Sequence, residues 1–359
     1  MKLGLSLGYA SPGTNPADLV PLVQEAEVLG LDSVWAAEAW GTDAITVLAW
    51  IAAVTSRIHV GSAIMQIPGR TPTNTAMTAA TLDLMSGGRF LLGLGTSGPQ
   101  VVEGWHGQAW GKPLVKTREY VEIVRAALRR EVVEHHGEHY EIPHDGRGST
   151  GLGKPLKLML RPLRPDIPIY LAAMAPKNVA LAVEIADGWL PLFVDPERFD
   201  SAFGPSLAGA PEGFQIAATV NVLVGDDVQA LRDSLKPHLA LYVGGMGAKG
   251  RNFYNALVRR YGWEAEAERI QDLYLGGHQR EAIAAVPDEL VDAVALVGPK
   301  ERIRDRLEAW QETPVTTLVV GSPQPEAMRT LAELVLLTAT APWNKGPGRR
   351  ADASGSSAA

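Results

Sequence analysis

Along this chain, short runs that are apolar on both faces alternate with longer runs whose apolar residues recur at helical spacing, the signature of strands in a parallel sheet separated by helices. Lys2 to Tyr9 alternates Leu with Gly or Ser and reads as a strand with small residues suited to a narrow barrel interior. Asn15-Pro16 then starts a helix in which Leu19, Leu22, Val23, Ala26 and Leu29 share a face until Gly30 stops it. LDSVWAAEAW restarts a strand ending at Glu38, Ala39 and Trp40, and DAITVLAWIAAVTS is a helix too dense in apolar positions for one wet face, with Trp50 in the core. Arg57 to Pro99 carries the clearest unit. RIHVGSAIMQI is β-rich, TPTNTAMTAATLDLMSGG has a Thr-Pro start and a Gly stop, and RFLLGLG is apolar on both faces. The two strands of this βαβ unit end in Ala63, Ile64, Met65, Gln66 and in Thr96, Ser97, Gly98, and such C-terminal strand ends are where parallel α/β folds bind ligands.

Beyond Pro99 the pattern loosens into VVEGWHGQAWGKPLV, a Gly- and Trp-rich loop placed to wall a site, before the amphipathic helix TREYVEIVRAALRRE. Residues 132–168 turn polar and Gly/Pro-rich and read as an insertion, with VVEHHGEHYEIP as a short hairpin and STGLGKPLKLMLRPLRPD as an extended crossing segment. PIYLAAMA resumes the strands, PKNVALAVEIAD is a helix, and GWLPLFV and FQIAATVNVLVGDD are further strands. Val228 to Val291 is mostly helical, after which ERIRDRLEAWQE, TTLVVG and PEAMRTLAELVLLTA close the fold. About eight strands, each usually followed by a helix, predict a (β/α)8 TIM barrel with insertions, one α/β domain over 1–342, with 343–359 as a disordered tail. A doubly wound open sheet is the alternative.

Composition narrows the partners. A net charge of −7 offers no basic stripe for nucleic acid, so the expected partner is a small molecule. The absence of cysteine excludes disulfides, thiolate catalysis and sulfur-ligated metals. MKLGLSLGYASPG lacks the apolar core of a signal peptide and no run reaches membrane-spanning length, so a cytoplasmic protein with no membrane partner is expected.

Gly93-Leu94-Gly95-Thr96-Ser97-Gly98 fits G-x-G-x-x-G after a strand, but that fingerprint needs a helix opening at once, whereas Pro99 leads into the Gly/Trp loop. A better phosphate candidate is PIYLAAMAPKNVALA, where Ala172, Ala173, Met174 and Ala175 end a strand and Pro176 starts a helix; a plain tight turn is the competing explanation. Glu38 at a strand end is a candidate general base or cofactor contact, against a capping carboxylate. His106 is a candidate proton donor, against an exposed or packing histidine. His135, His136, His139 and His144 lie over a polar hairpin without ligand spacing and read as solvated, so no metal is expected. Trp35, Trp40, Trp105, Trp110 and Trp189 include several near strand ends, where aromatic walls suit a planar ring. Neither G-x-S-x-G nor a Walker A pattern is present.

VWAAEAW, LAWIAAVTSRIHVGSAIMQIPGRTP, ATLDLMSGGRFLLGLGTSGP and PIYLAAMAPKNVALAVEIADGWLP together resemble the luciferase-like monooxygenase superfamily, and look most like its branch that uses the deazaflavin coenzyme F420. The resemblance runs from about Lys2 to Val320. It implies a (β/α)8 barrel with F420, or alternatively FMN, lying across the C-terminal strand ends, and a homodimer. It implies a non-prolyl cis peptide at Ala63-Ile64 under the ring, Glu38 near the ring with Trp40 as a wall, contacts from Thr96 to Gly98, and phosphate binding at Ala172 to Ala175. The glycines of RFLLGLGTSG then read as space for a flat cofactor. The sugar-phosphate dehydrogenases of the branch carry a His and a Glu where Ala39 and Gly98 stand here, so their acid–base pair is absent. The implied activity is hydride transfer between the deazaflavin and an organic substrate under the Trp105–Trp110 loop, with Glu38 and His106 as candidate acid–base groups. An FMN-dependent monooxygenase and a non-catalytic cofactor-binding barrel are the alternatives.

Overall fold

The computed structural model describes residues 1–8, 15–322 and 324–337, so Tyr9 and the expected tail lie outside the described residues. Eight parallel strands close on themselves: β1 (Lys2–Gly8), β2 (Ser33–Ala36), β3 (His59–Ser62), β4 (Phe90–Gly95), β5 (Ile169–Ala172), β6 (Gly188–Leu190), β7 (Gln215–Val224) and β8 (Thr317–Gly321). Closure is direct, since Leu3 on β1 stands beside Leu318, and Ala218 on β7 beside the same residue. The (β/α)8 expectation therefore holds. Sequence reading missed a further parallel strand, Ala295–Gly298, which pairs with the second half of β7 outside the barrel. Its four residues are too few to show periodicity after the helical stretch before them.

The barrel interior explains the small residues of β1 and β3. Trp35, Leu91, Tyr170, Leu190, Ala217 and Val319 form an inner cluster, and Trp35 is its largest member, its indole N–H donating to the Ser33 hydroxyl at 2.9 Å. A Cβ on Gly61 would lie 2.4 Å from the Trp35 ring, and one on Gly4 3.1 Å from the indole nitrogen. The glycines are the volume that this tryptophan occupies. Outward-facing Val34, Val60, Phe90 and Leu92 join the larger core between strands and helices, the two-faced burial that parallel strands require.

Helix α1 (Val20–Leu29) follows a 3-10 turn capped by the Asn15 side chain, as the Asn-Pro start predicts. Helix α2 (Ala44–Val54) buries Ala44, Leu48, Ile51 and Ala52 but leaves Trp50 54% exposed. The dense apolar pattern overstated its burial, and Trp50 is not a core residue. Helix α3 (Pro72–Met85) starts under the Thr71 hydroxyl and brings Asp83 into the core. Helix α4 (Pro99–Gly104) corrects the expected loop: Gly98 is its N-cap, and its carbonyl accepts from the N–H groups of Val101 and Val102. Helix α5 (Pro113–Leu128) then leads to the insertion.

The insertion is an antiparallel hairpin, His135–His136 against Glu141–Ile142, with Val132–Val133 paired to Leu156–Lys157. Buried carboxylates hold both halves. Glu119 on α5 accepts from the N–H groups of Glu138, His139 and Tyr140 at 2.8, 2.9 and 3.0 Å, and Asp83 takes the Arg164 guanidinium. His135 and His139 are consequently drawn in, each with a shielded Nε2, whereas His136 and His144 are exposed as expected. Among the described residues no group of side chains has the arrangement of a metal site. No helix among them is long and apolar enough to cross a membrane.

Candidate functional site

The chain leaves β3 through Ser62, Ala63 and Ile64 and rejoins the sheet at Met65–Gln66, which pairs with Leu94 and Gly95 of β4. Because Gly61 stands beside Leu91 and Met65 beside Leu94, three residues on one side face two on the other, a one-residue bulge at the barrel mouth. The Ser62 hydroxyl fills the gap in the ladder, donating to the Gly93 carbonyl at 2.8 Å and accepting from the Gly93 N–H at 3.0 Å. The Ala63-Ile64 peptide is cis, as the resemblance implies.

Here the structure corrects the reading of the glycines. A Cβ on Gly93 would stand 1.8 Å from the Ser62 carbonyl oxygen, and one on Gly95 2.8 Å from the Ile64 side chain. That space belongs to the protein's own bulge. Over the buried Trp35, Tyr170 and Leu190, the half-buried Ala63, Ile64 and Ala172 form a floor of apolar side chains. Thr96, Ser97 (φ 60°) and Gly98 border it at the end of β4. Met65 is not on it: its side chain is buried in the outer core, where its sulfur receives the Thr75 hydroxyl.

Glu38 is fully engaged. Both of its oxygens accept from Arg70, at 2.8 and 3.1 Å, and one also receives the Ala44 N–H at 3.3 Å, which ties the carboxylate to the start of α2. Arg70 reaches Asp43 as well. Burial works against the Arg70 charge, but the hydrogen bonds and charges of Glu38 and Asp43 outweigh it and hold the guanidinium above its ordinary pKa. Beneath this pair Tyr120 donates to the Arg70 carbonyl and meets Thr75, and burial pushes its hydroxyl up to about 12.

Gln66, buried beside this group, donates to the Ala39 carbonyl at 2.5 Å, so its side-chain oxygen is left to accept from His106 Nε2 at 3.2 Å. That fixes the proton of a neutral His106 on Nε2 and leaves Nδ1 without a protein partner among the described residues. The structure does bring the two candidate acid–base residues together: a Cβ on Gly69 would touch both Glu38 Oε1 and the His106 ring at 3.5 Å. Trp40 and Trp105 stand 56% and 65% exposed beside them, whereas Trp110 packs with Ile67, Thr96, Val102 and Lys116 in a cleft under the loop. Trp35 and Trp189 are buried and form no wall.

Across the mouth, Ala172 to Ala175 lead into helix α6 (Pro176–Ile185), which begins at Pro176 with no side-chain cap. Two outside side chains hold this loop by its carbonyls: Trp189 Nε1 donates to Ala173 at 2.8 Å and Arg260 Nη2 to Met174 at 2.6 Å. Sequence reading missed Arg70 and Arg260. Arg70 lies in a loop motif next to Thr-Pro, and Arg260 is 86 residues from the carbonyl it meets.

The family model for the luciferase-like monooxygenases matches residues 1–317. The chain belongs to that family. Among its relatives, a Mycobacterium tuberculosis protein whose name assigns it provisionally to the coenzyme F420-dependent oxidoreductases is 48% identical over 346 residues, covering 93% of this chain and 99% of that protein. The 5,10-methylenetetrahydromethanopterin reductase of Archaeoglobus fulgidus is 27% identical over 335 residues, covering 90% of this chain and 94% of its own. The solved structure of the coenzyme F420-dependent tetrahydromethanopterin reductase of Methanopyrus kandleri superposes with a TM-score of 0.76 at 24% identity, covering 94% of this chain and 98% of that one, a likeness of fold. For a luciferase-like protein the mouth just described is the C-terminal face of the barrel, where the fold places its chemistry.

Proposed function

We propose that this luciferase-like protein is an F420-dependent oxidoreductase that moves a hydride between C5 of the deazaflavin and an organic substrate. The observation that carries the reading is the apolar floor of Ala63, Ile64 and Ala172 at the strand ends, a surface suited to a flat ring, in a chain 48% identical to a protein named for F420. The deazaflavin supplies the hydride chemistry when bound, and the chain supplies position and electrostatics. Ala63 and Ile64 support the ring face, Trp40 walls it, Thr96, Ser97 and Gly98 border it, and Ala172 to Ala175 receive the phosphate.

Glu38 acts by holding. With both oxygens taken by Arg70 and one by the start of α2, its carboxylate fixes the loop before α3 rather than taking a proton. His106 is the acid–base group of this reading: Gln66 orients the imidazole through Nε2, and Nδ1 is the atom left to give or take a proton at the substrate. Ala39 and Gly98 contribute only backbone, so substrates needing a second acid–base side chain there are disfavoured.

Titration with F420 and with FMN, followed by anaerobic turnover and oxygen consumption, tests the reading. Saturable F420 binding and hydride transfer without oxygen uptake are expected. Absence of F420 binding would overturn it, tight FMN binding with oxygen uptake would make the protein a flavin monooxygenase, and F420 binding without turnover of any substrate would make it a binding barrel.

A further inference from the structure

Lys116 stands in the first turn of α5, with its side chain in the cleft under the Trp105–Trp110 loop. Ile67, Pro68, Val102, Trp110 and Pro113 make the walls of that cleft apolar, and only Thr96 and the lysine interrupt them. Lys116 Nζ makes one hydrogen bond, to the side-chain oxygen of Gln108 at 3.2 Å, and no carboxylate pairs with it among the described residues. Other lysines are treated differently. Lys2 has Asp32, Lys112 has Glu138, Lys236 has Asp233 and Asp288, Lys249 has Asp272 and Lys300 has Glu333. Lys154, Lys157 and Lys177 have no carboxylate either, but they are exposed to water. Among the described residues, Lys116 is the half-buried lysine without a countercharge.

Two features make this a poor place for a cation in the free protein. Burial depresses the ammonium pKa, with no carboxylate to raise it again. The first turn also sets the charge at the positive end of the 16-residue α5, which has no acidic residue there and no side-chain cap. The neutral partner gives the charge no structural task. Gln108 is already fixed by its donor to the Pro68 carbonyl at 2.8 Å and by its backbone N–H on the Val102 carbonyl at 3.1 Å. An ammonium with two further donors, set among apolar walls, matches a carboxylate whose organic part covers those walls. Thr96 belongs both to this cleft and to the border of the apolar floor, which puts the cleft beside the place of the ring.

We infer that Lys116 is a substrate-binding residue, its ammonium taking the carboxylate of an organic acid whose apolar part lies against Val102 and Trp110. That the acid is the substrate rests on the F420 reading above; that the cleft takes a carboxylate does not. The substrate class follows from the chemistry. A hydrophobic carboxylic acid supplies the missing countercharge through a charge-assisted hydrogen bond, and its neutral amide of the same shape does not.

The test uses the full chain and a panel of arylacetic and medium-chain fatty acids, each paired with its primary amide, in calorimetric titrations at neutral pH. The wild type should bind at least one acid about tenfold more tightly than its amide. Lys116→Gln, which keeps a donor for Gln108 but not the charge, should erase that preference, and Lys116→Arg should restore part of it. If the wild type favours no acid over its amide, or the preference survives Lys116→Gln, the inference is overturned and Lys116 is a brace for Gln108. F420, whose tail carries carboxylates of its own, and the tail-less deazaflavin decide the source of the carboxylate. Lys116→Gln should weaken neither, and the preferred acid should bind alongside F420. A loss confined to F420, or competition between F420 and the acid, would overturn the assignment to the substrate. If neither deazaflavin binds the wild type, the F420 reading fails, and the acid-against-amide comparison still decides whether the cleft holds a carboxylate. Should Lys116→Gln not fold, the NMR signal of an isotope-labelled methyl group on the Lys116 amine, identified by its loss in Lys116→Arg, decides instead: the acid must shift it and the amide must not.

Discussion

The two sides of the barrel mouth carry charge in opposite states of completion. On the β2–β4 side Glu38, Arg70 and Asp43 satisfy one another, Gln66 links the Ala39 carbonyl to His106, and Gly93 and Gly95 are filled by the Ser62 carbonyl and Ile64. On the β5–α6 side Arg260 has the Met174 carbonyl and the Phe203 ring, and α6 has no side-chain cap. The contrast teaches which side chains complete one another's charge and which do not. A carboxylate at a strand end reads as a catalytic base until its partners are seen, while a cation with too few partners is the better sign of something to be bound.

Substitutions that tell the finished side from the unfinished one separate by size. Gly93→Ala should be the most damaging, because its methyl would meet backbone at 1.8 Å; a loss above about 4 kcal/mol in urea unfolding, or failure to fold, is expected. Gly98→Ala is the control, with only the end of the Gln100 side chain at 3.4 Å, and should stay within about 0.5 kcal/mol of wild type. Glu38→Ala should cost about 3 kcal/mol, since it strips the main partner from the partly buried Arg70. A near-neutral result there would mean that the ion pair does not fix this side.

The tyrosine beneath that pair gives a pH signature. Tyr120 ionises near 10.0 when unfolded and only at about 12 in the fold, so its contribution is intact below pH 10.0 and is lost as pH rises toward 12. Tyr120→Phe should flatten that part of an alkaline stability curve; an unchanged slope would show that Tyr120 is not held neutral. Also small is the expected effect of Arg260→Met on the ligand-free protein, within about 1 kcal/mol of wild type or slightly stabilising, because a cation without a carboxylate partner is removed. A loss as large as that of Glu38→Ala would erase the contrast between the two sides.

The barrel was legible because its strands are apolar on both faces and its helices announce their starts, as at Asn15-Pro16 and Thr71-Pro72. The site was legible only where it follows the strand ends: Glu38, Ala63, Ile64, Thr96 and Ala172 are at the mouth. What a side chain does there depends on partners distant in sequence. Arg70 turns Glu38 from a base into a holder, Gln66 aligns His106, and Arg260 comes to the β5–α6 loop from another helix. The glycines of β4 show the same limit, since their pattern predicts room but not that Ser62 and Ile64 take it. Helix α4 was missed because six residues rich in Val and Gly carry too little periodicity to outweigh the loop composition around them.

The most direct measurement is a crystal structure of the protein with F420 bound. The account places the deazaflavin ring with one face on Ala63 and Ile64 and its phosphate at Ala172 to Ala175. A ring bound away from that floor, or no deazaflavin density at saturating concentration, would contradict it.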